Sequence, residues 1–306
     1  MCYTEEKDWV DTTRRIKPEE DCPHSGQVYA GERGGPVRAT VLVDNIAYNG
    51  IKGEWGLSFY IEYQGHNILL DTGASGLFAE NARDLGLSLK DVEYAVLSHA
   101  HYDHADGMGR FFEENDRAKF YLREACAENC YKKGKIFKKY IGIARGNLKK
   151  YRDRIVYVDE DKVLVQGVTL LGHHTEGTQE IGRQENMYVR RDGQWRTDDF
   201  AHEQSLVFET DGGLVIFNSC SHIGADNIIR EAEQAFPGKK IRALAGGFHL
   251  YNKTEAQVRA FAKRVEETGI EKLYTGHCTG AAGYEILKDC LGDIVQQFRS
   301  GLVMEF

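Results

Sequence analysis

Short apolar segments, each followed by a cluster of polar or glycine residues, recur along most of this chain. Segments of four to seven residues are dominated by valine, isoleucine, leucine and aromatic side chains, a composition typical of strands joined by turns. Residues 210–213 (Thr-Asp-Gly-Gly) predict a hairpin turn. On this basis we predict strands over 39–43, 57–63, 67–70, 92–97, 205–208, 214–217, 241–244 and 272–275, with a further strand group over 155–171.

Helical periodicity is confined to a few segments between these strands. Residues 77–85 and 226–235 predict short helices, and residues 254–257 (Thr-Glu-Ala-Gln) form a capping box that begins a longer one. Gly269 ends that helix. Its apolar face consists of Val258, Phe261, Ala262 and Val265. This mixture of strands and helices predicts an α/β protein.

Composition and charge argue against nucleic-acid-binding, membrane-spanning and disulfide-rich classes of protein. Hydrophobic residues make up 42% of the 306-residue chain, and the formal net charge of −8 argues against a nucleic-acid partner. No apolar run approaches the roughly 20 residues of a membrane span, and the N-terminus lacks the apolar region of a signal peptide. The seven cysteines are widely spaced, which argues against a disulfide framework. We therefore predict a soluble, cytoplasmic protein without a membrane partner.

The densest chemical signal is the run Ser-His-Ala-His-Tyr-Asp-His at residues 98–104, which follows a predicted strand. Imidazole and carboxylate groups are ligands for zinc, iron and manganese. In an extended or tightly turned segment, His99 and His101 can point the same way, while Asp103 and His104 face a second point nearby. The run therefore predicts ligands for two neighbouring metal ions.

Three other histidines also follow predicted strands: His222, His249 and His277. Loops at strand ends are where α/β proteins gather functional groups. Together with the run at 98–104, these positions indicate a common centre built from distant parts of the chain.

These features resemble the metallo-β-lactamase superfamily over roughly residues 38–290. The segments that carry the resemblance are Asp-Thr-Gly (71–73), the histidine run (98–104) and the late His277. Within that superfamily, the chain more closely resembles the branch related to 7,8-dihydropterin-6-methyl-4-(β-D-ribofuranosyl)aminobenzene-5′-phosphate synthase. The segments shared with that branch are Glu-Trp-Gly-Leu-Ser (54–58), Cys-Ser-His (220–222), Gly-Gly-Phe-His (246–249) and His-Cys-Thr-Gly (277–280).

The resemblance implies an αββα sandwich of two mixed β-sheets flanked by helices. It places a single domain at 38–306, after a polar N-terminal extension at 1–37, with an inserted segment at about 110–160. It also implies a site for two metal ions. His99 and His101 would bind the first ion, and the second would be bound by Asp103, His104 and His277.

The middle of the chain departs from the superfamily pattern, because no Gly-Asp follows the strand at 214–217. We predict that His222 supplies the missing imidazole. Cys220 is either a bridging ligand or a neighbour that supports the ligands. The competitors for the middle histidine are His173 and His174, within a Gly-His-His-Thr segment, and His202, which is alternatively a support for a nearby loop.

Two residues are expected to act around the metal ions. His249 resembles a group placed over them to donate a proton or a hydrogen bond to the substrate, although a structural strand-end histidine is the alternative. Asp71 is expected to be a metal ligand or, preferably, a support for a ligand histidine. Asp103 and His249 are the predicted catalytic residues.

Residues 131–154 carry ten lysines and arginines, opposed by Asp153 alone. The segment predicts either a solvated helical face or a lid that attracts a small anionic, phosphorylated substrate. Candidate substrate contacts in it are Lys138, Lys139 and Tyr140.

The predicted activity is hydrolysis of an ester or phosphoester by a hydroxide that bridges two divalent metal ions. Zinc is the expected metal, with iron and manganese as alternatives. The alternative activity is that of a transferase, which forms a C–N bond between a pterin and a ribofuranosylaminobenzene phosphate and releases diphosphate.

Overall fold

Two seven-stranded β-sheets and a small four-stranded sheet form the fold of residues 34–306, the part of the chain that the computed structural model describes. In chain order the strands are β1 (Val37–Val43), β2 (Ser58–Tyr63), β3 (His66–Leu70), β4 (Tyr94–Val96), β5 (Lys119–Arg123), β6 (Cys130–Lys133), β7 (Lys138–Tyr140), β8 (Ile155–Val158), β9 (Lys162–Val165), β10 (Val168–Gly172), β11 (Met187–Arg191), β12 (Gln194–Thr197), β13 (Gln204–Thr210), β14 (Gly213–Phe217), β15 (Ile241–Ala245), β16 (Lys272–Thr275), β17 (Val295–Gln297) and β18 (Val303–Glu305). The helices are α1 (Leu77–Asp84), α2 (Tyr102–Ala105), α3 (Met108–Glu114), α4 (Asn147–Lys150), α5 (Thr178–Gln184), α6 (Ala225–Ala235), α7 (Glu255–Glu266) and α8 (Gly280–Leu291).

Both large sheets are mixed. The first has the order β18-β1-β2-β3-β4-β5-β8, antiparallel from β18 to β3 and parallel from β3 to β8. The second has the order β17-β16-β15-β14-β13-β10-β9, parallel from β17 to β14 and antiparallel beyond it. The predicted strands are therefore confirmed, with ends shifted by a few residues at most.

Alternating side chains on the strands build three apolar layers. In β14, Val215 and Phe217 pack between the two sheets, whereas Leu214 and Ile216 face the helices outside. Helices α1 and α3 cover the outer face of the first sheet, and α6, α7 and α8 cover that of the second. The order helix, sheet, sheet, helix confirms the αββα sandwich.

The first part of the basic segment at 131–154 is a strand pair, and only the short helix α4 and the turn after it are helical. Strands β6 and β7 pair with each other, and β6 pairs with β11, so the small sheet has the order β12-β11-β6-β7. Tyr131 packs against Tyr140 and Trp195, with ring centroids 5.2 and 4.8 Å apart. A helical reading fails because the apolar partner of this hairpin lies about sixty residues further along the chain.

The expected insertion at about 110–160 is also too wide. Strands β5 and β8, inside that range, belong to the first large sheet. Only the chain between them, with β6, β7 and α4, leaves the sandwich. We call β6, β7 and the turn between them the basic hairpin.

The remaining expectations concern the chain ends and the membrane. Nearly all of the expected N-terminal extension at 1–37 lies outside the described residues. Helix α8 and the strands β17 and β18 were not expected from the sequence. Among the helices of residues 34–306, none is long and apolar enough to cross a membrane.

We predict that the space between the sheets dominates stability. Phe217 is fully buried there, with its ring 5.5 Å from Phe59 and 5.6 Å from Phe208. Phe217→Ala should lower the free energy of unfolding by about 3–5 kcal/mol, because it leaves a cavity. Phe137→Ala, in the exposed turn of the basic hairpin, is the matched control, and we expect it to be nearly neutral. Equal losses in denaturant titrations of the two variants would contradict this packing.

Candidate metal centre

Six histidines gather where strands of both large sheets end. His99 follows β4, and the single turn of α2 carries Asp103 and His104 directly after His101. The other members follow β14, β15 and β16, and neighbouring rings have centroids 4.3–5.0 Å apart. The structure thus brings together every strand-end histidine singled out in the sequence: His99, His101, His104, His222, His249 and His277.

Four of the strand ends turn sharply. Asp71, Ser221, His249 and His277 all have positive φ values, between 45° and 61°. For residues other than glycine this conformation costs of order 1–3 kcal/mol each, and it persists only where the surrounding structure enforces it. Such strain concentrates at functional sites, as it does here.

Asp71 organises the loops beneath the histidines. Its fully buried carboxylate accepts hydrogen bonds from the Ser98 backbone N–H (2.7 Å), the Ser98 hydroxyl (2.7 Å) and His104 Nδ1 (2.8 Å), and from the Ser219 hydroxyl. Because His104 Nδ1 donates to Asp71, the lone pair of His104 lies on Nε2. Asp71 therefore supports a histidine and does not face the cluster itself.

Hydrogen bonds also determine which ring nitrogen carries the proton in two other histidines. The Ser98 hydroxyl gives its proton to Asp71, so it accepts from His99 Nδ1 at 2.8 Å. The amide of Asn45 accepts from His277 Nδ1 at 3.1 Å. In both rings the lone pair is left on Nε2, which is buried and has no hydrogen-bond partner within the described chain.

Donor atoms of the described residues form four close groups, two of which contain the metal ligands expected from the sequence. In the first, donor atoms of His99, Cys220 and His222 lie within 4.8 Å of one another, and His101 Nδ1 is 3.2 Å from His222 Nε2. In the second, donor atoms of His104, Cys220 and His277 meet the same criterion. Cys220 is common to both groups.

Asp103 completes the second group. Its Oδ2 lies 3.5 Å from His277 Nε2 and 3.8 Å from His104 Nε2, and it accepts a hydrogen bond from Trp55 Nε1 at 2.9 Å. Burial opposes ionisation, but His104 and His277 outweigh it and hold the pKa of the Asp103 carboxyl well below its ordinary range. The group therefore contains an anionic oxygen as well as two imidazoles and a thiol.

These residues fit divalent metal ions. Burial, reinforced by neighbouring imidazoles, lowers the pKa of His99 and His222 well below the ordinary value, so both rings are neutral and keep a lone pair. Two nitrogens on one tetrahedral zinc, each at about 2.0–2.1 Å, would be about 3.3–3.4 Å apart, close to the separation between His101 and His222. Buried lone pairs without partners are costly, and a cation would satisfy them.

The competing histidines lie elsewhere or play another part. His173 Nδ1 contacts Glu231 on α6 at 2.6 Å, and His174 is exposed. His202 is buried beside His101, but its Nδ1 accepts from the Ala100 backbone N–H and its Nε2 lies 3.2 Å from Asp198. Of the two roles considered for His202, this geometry matches support of the loop that carries His99 and His101.

A cavity of about 430 Å³ opens above the cluster. His101, Asp103, Cys220, His222 and His249 line its floor, and lysines of the basic hairpin line the opposite wall. The lysines are Lys132, Lys133 and Lys139, and none of them forms an ion pair with a carboxylate of residues 34–306.

Only one of the three expected substrate contacts faces this cavity. Lys139 lines it, whereas Lys138 lies over the rings of Tyr188 and Trp195, at 5.0 and 4.4 Å from their centroids. The Tyr140 hydroxyl donates to the backbone carbonyl of Ile143 instead. The reason is the strand conformation of β7, in which neighbouring side chains point to opposite faces.

His249 lies at the cavity floor between His222 and Tyr251, with ring centroids 4.5 and 5.1 Å away. Burial alone would lower the pKa of His249, but the Cys278 thiol and the Glu185 carboxylate raise it to about 9. The ring therefore carries a proton at neutral pH.

Sequence reasoning missed several residues around the cluster. Asp44 accepts from the backbone N–H of His277 at 2.7 Å, next to Asn45, and both follow β1. Their position after a strand is the signal that could have identified them. Trp55 lies within a segment shared with the related branch, but nothing local indicated its bond to Asp103. For Glu185 the sequence offered no signal.

Three comparisons bear on this site and fold. A model of the metallo-beta-lactamase superfamily matches residues 56–182. The 7,8-dihydropterin-6-methyl-4-(beta-D-ribofuranosyl)-aminobenzene-5'-phosphate synthase of Methanocaldococcus jannaschii is 25% identical over an alignment of 287 positions, which covers 87% of this chain and 95% of that one.

Two solved structures are similar to this chain in fold. Tm1679, described as a metal-dependent hydrolase of the beta-lactamase superfamily, is 28% identical with a TM-score of 0.72, covering 88% of this chain and 99% of its own. The metallo-beta-lactamase fold protein YhfI from Bacillus subtilis, 13% identical, shares the fold with a TM-score of 0.54 over 89% of this chain and 100% of its own. With its αββα sandwich and its strand-end histidine cluster, the chain has the metallo-β-lactamase fold, and its residues 56–182 match the model of that superfamily.

Proposed function

We propose that this protein is a metal-dependent hydrolase that binds two divalent cations and cleaves an ester or phosphoester bond of a small anionic substrate. The observation that carries this proposal is the pair of adjoining donor groups on the cavity floor, which share Cys220. Two adjoining groups of buried imidazoles, with an anionic oxygen in one of them, suit two neighbouring cations better than one.

In this proposal each cation has its own ligands. The first would be held by His99, His101 and His222, and the second by Asp103, His104 and His277. Cys220, whose sulfur lies 3.2 Å from His104 Nε2, is close to both sets and would be available to either cation. Nitrogen, sulfur and carboxylate donors together suit zinc, while iron and manganese accept the same imidazoles and carboxylate.

Residues of the chain hold the reacting groups in place. When bound, two such ions lower the pKa of a shared water and stabilise negative charge at the ester under attack. Trp55 fixes the Asp103 carboxylate through its indole N–H. His249 faces the same space from the cavity floor, where it donates a proton or a hydrogen bond to the leaving group.

The lysine wall supports an anionic substrate. Lys132 and Lys139 are paired across β6 and β7, so their ammonium groups repel one another at the cavity wall, and this repulsion is relieved when an anion binds between them. Lys132 donates to the Tyr251 hydroxyl at 2.8 Å, so an aromatic ring lies beside the positive charge. Such a wall suits a phosphate or carboxylate group attached to a planar ring.

A transferase is the second candidate, favoured by the similarity to the methanogen synthase over most of both chains. The two activities are distinguished with protein purified without oxygen and analysed for bound metal. Turnover of bis-p-nitrophenyl phosphate that is lost on chelation supports the hydrolase. Release of diphosphate from a dihydropterin diphosphate, without phosphodiester turnover, supports the transferase.

Loss of one imidazole from the first group should remove metal. We expect His101→Ala to lower both bound metal and activity, because His101 Nδ1 and His222 Nε2 lie 3.2 Å apart and would bind the same cation. His174→Ala is the control, since that side chain is exposed and remote from the donor groups. Metal content is measured by plasma mass spectrometry after dialysis. An unchanged metal stoichiometry in His101→Ala would refute the ligand assignment.

Removal of His249 should separate catalysis from metal binding. His249 belongs to neither proposed ligand set, so His249→Ala should keep its metal while kcat falls by about 10²–10⁴-fold, the usual contribution of a general acid. Steady-state kinetics and metal analysis of the same preparation test this. A parallel loss of metal and activity would instead make His249 a ligand.

The two neighbouring lysines of β7 provide a matched pair. Lys139→Ala should raise KM for an anionic substrate by about tenfold or more, since a hydrogen bond to a charged group contributes about 1.5–3 kcal/mol. Lys138→Ala removes an identical charge from the opposite face of the strand and should change KM little. Equal effects of the two variants would show that only the overall charge of the basic hairpin matters.

A further inference from the structure

A buried carboxylate lies behind His249, outside the two donor groups. Glu185 follows α5 and is 3% exposed. Its Oε2 lies 3.5 Å from His249 Nε2 and accepts a hydrogen bond from Asn252 Nδ2 at 2.8 Å, while its Oε1 pairs with the Lys253 ammonium. All three partners belong to residues 249–253, so one carboxylate ties the end of α5 to the loop after β15.

Besides Glu185, the polar group close to the His249 ring is the thiol of Cys278, whose sulfur also accepts a hydrogen bond from the His249 backbone N–H at 3.2 Å. The His249 backbone is in the left-handed region, and within the described chain neither ring nitrogen makes a hydrogen bond of ordinary geometry. The ring packs only against His222 and Tyr251 among the aromatic side chains near it. Glu185 is the carboxylate in ion-pair range of this ring.

We propose that Glu185 is a positioning residue that holds the His249 ring toward the cavity floor and influences the reaction only through His249. The inference rests on the proposed function, in which His249 meets the substrate. Lys253 stabilises the ionised Glu185, because a buried carboxylate is strongly unfavourable unless its charge is paired. Carboxylates that orient functional histidines in this way typically change activity by about 10–100-fold when they are removed.

The chain contains a matched control for this arrangement. Glu231 also contacts a histidine with a buried side chain, because its Oε2 lies 2.6 Å from His173 Nδ1. Its other carboxylate oxygen accepts hydrogen bonds from the His174 backbone N–H and the Thr175 hydroxyl. Neither Glu231 nor His173 lines the cavity above the donor groups. Both pairs are carboxylate–histidine contacts, but only one of them touches the proposed active site.

The first test needs no substrate. In zinc-loaded protein with ¹⁵N-labelled histidine, long-range proton–nitrogen correlations report which ring nitrogen carries a proton and whether the ring is fixed. We expect one fixed His249 ring in the unaltered protein, lost in Glu185→Ala and unaffected in Glu231→Ala. Glu185→Gln, which keeps the volume, replaces Glu185→Ala if that variant does not fold. An unchanged His249 signal in the Glu185 variant would overturn the proposal.

The second test is a double-mutant cycle. Glu185→Ala should lower kcat by about 10–100-fold, with KM and metal content nearly unchanged. In the His249→Ala background the same substitution should change kcat by less than about twofold, because two residues that act as one unit are not additive. An equal loss in both backgrounds would mean that Glu185 acts only on the stability of the loop. Absence of metal-dependent turnover in the unaltered protein would refute the proposed function, and the histidine spectra would then decide the role of Glu185.

Discussion

One buried carboxylate links the two sheets beneath the histidine cluster. Asp71 follows β3 of the first sheet, and its partners Ser98 and His104 belong to the loop after β4. Ser219, after β14 of the second sheet, donates to the same carboxylate. Hydrogen bonds to a charged group contribute about 1.5–3 kcal/mol each, and a buried charge without them is strongly unfavourable. The relative placement of the two donor groups depends on this link, because each group takes side chains from both sheets.

The histidine cluster and the lysine wall of the cavity above it need partners of opposite charge. In the cluster, buried ring nitrogens such as His99 Nε2 and His277 Nε2 have no hydrogen-bond partner within residues 34–306. On the opposite wall, Lys132, Lys133 and Lys139 present positive charges without carboxylate partners in the same part of the chain. Cations on the floor and an anion between floor and wall would satisfy both at once. This complementarity is the physical reason for combining metal ions with an anionic substrate.

Local patterns sufficed for much of the fold and for most of the site. Strands such as β14 could be predicted because consecutive apolar residues mark a strand that is buried on both faces, and His99–His104 could be recognised because the run is contiguous. The basic hairpin could not, since the strands that extend it into a sheet lie at 187–197. Which neighbouring lysine faces the cavity follows from that conformation, and Glu185 meets His249 only through tertiary packing.

A crystal structure of the metal-loaded protein, with anomalous scattering recorded at the absorption edge of the metal, is the most direct test of the centre. We expect two peaks about 3.5–4 Å apart. One should be bonded to His99, His101 and His222, the other to Asp103, His104 and His277, with the sulfur of Cys220 between them. A single peak, or metal bound by His173 or His202 in place of His222, would contradict the two-cation centre.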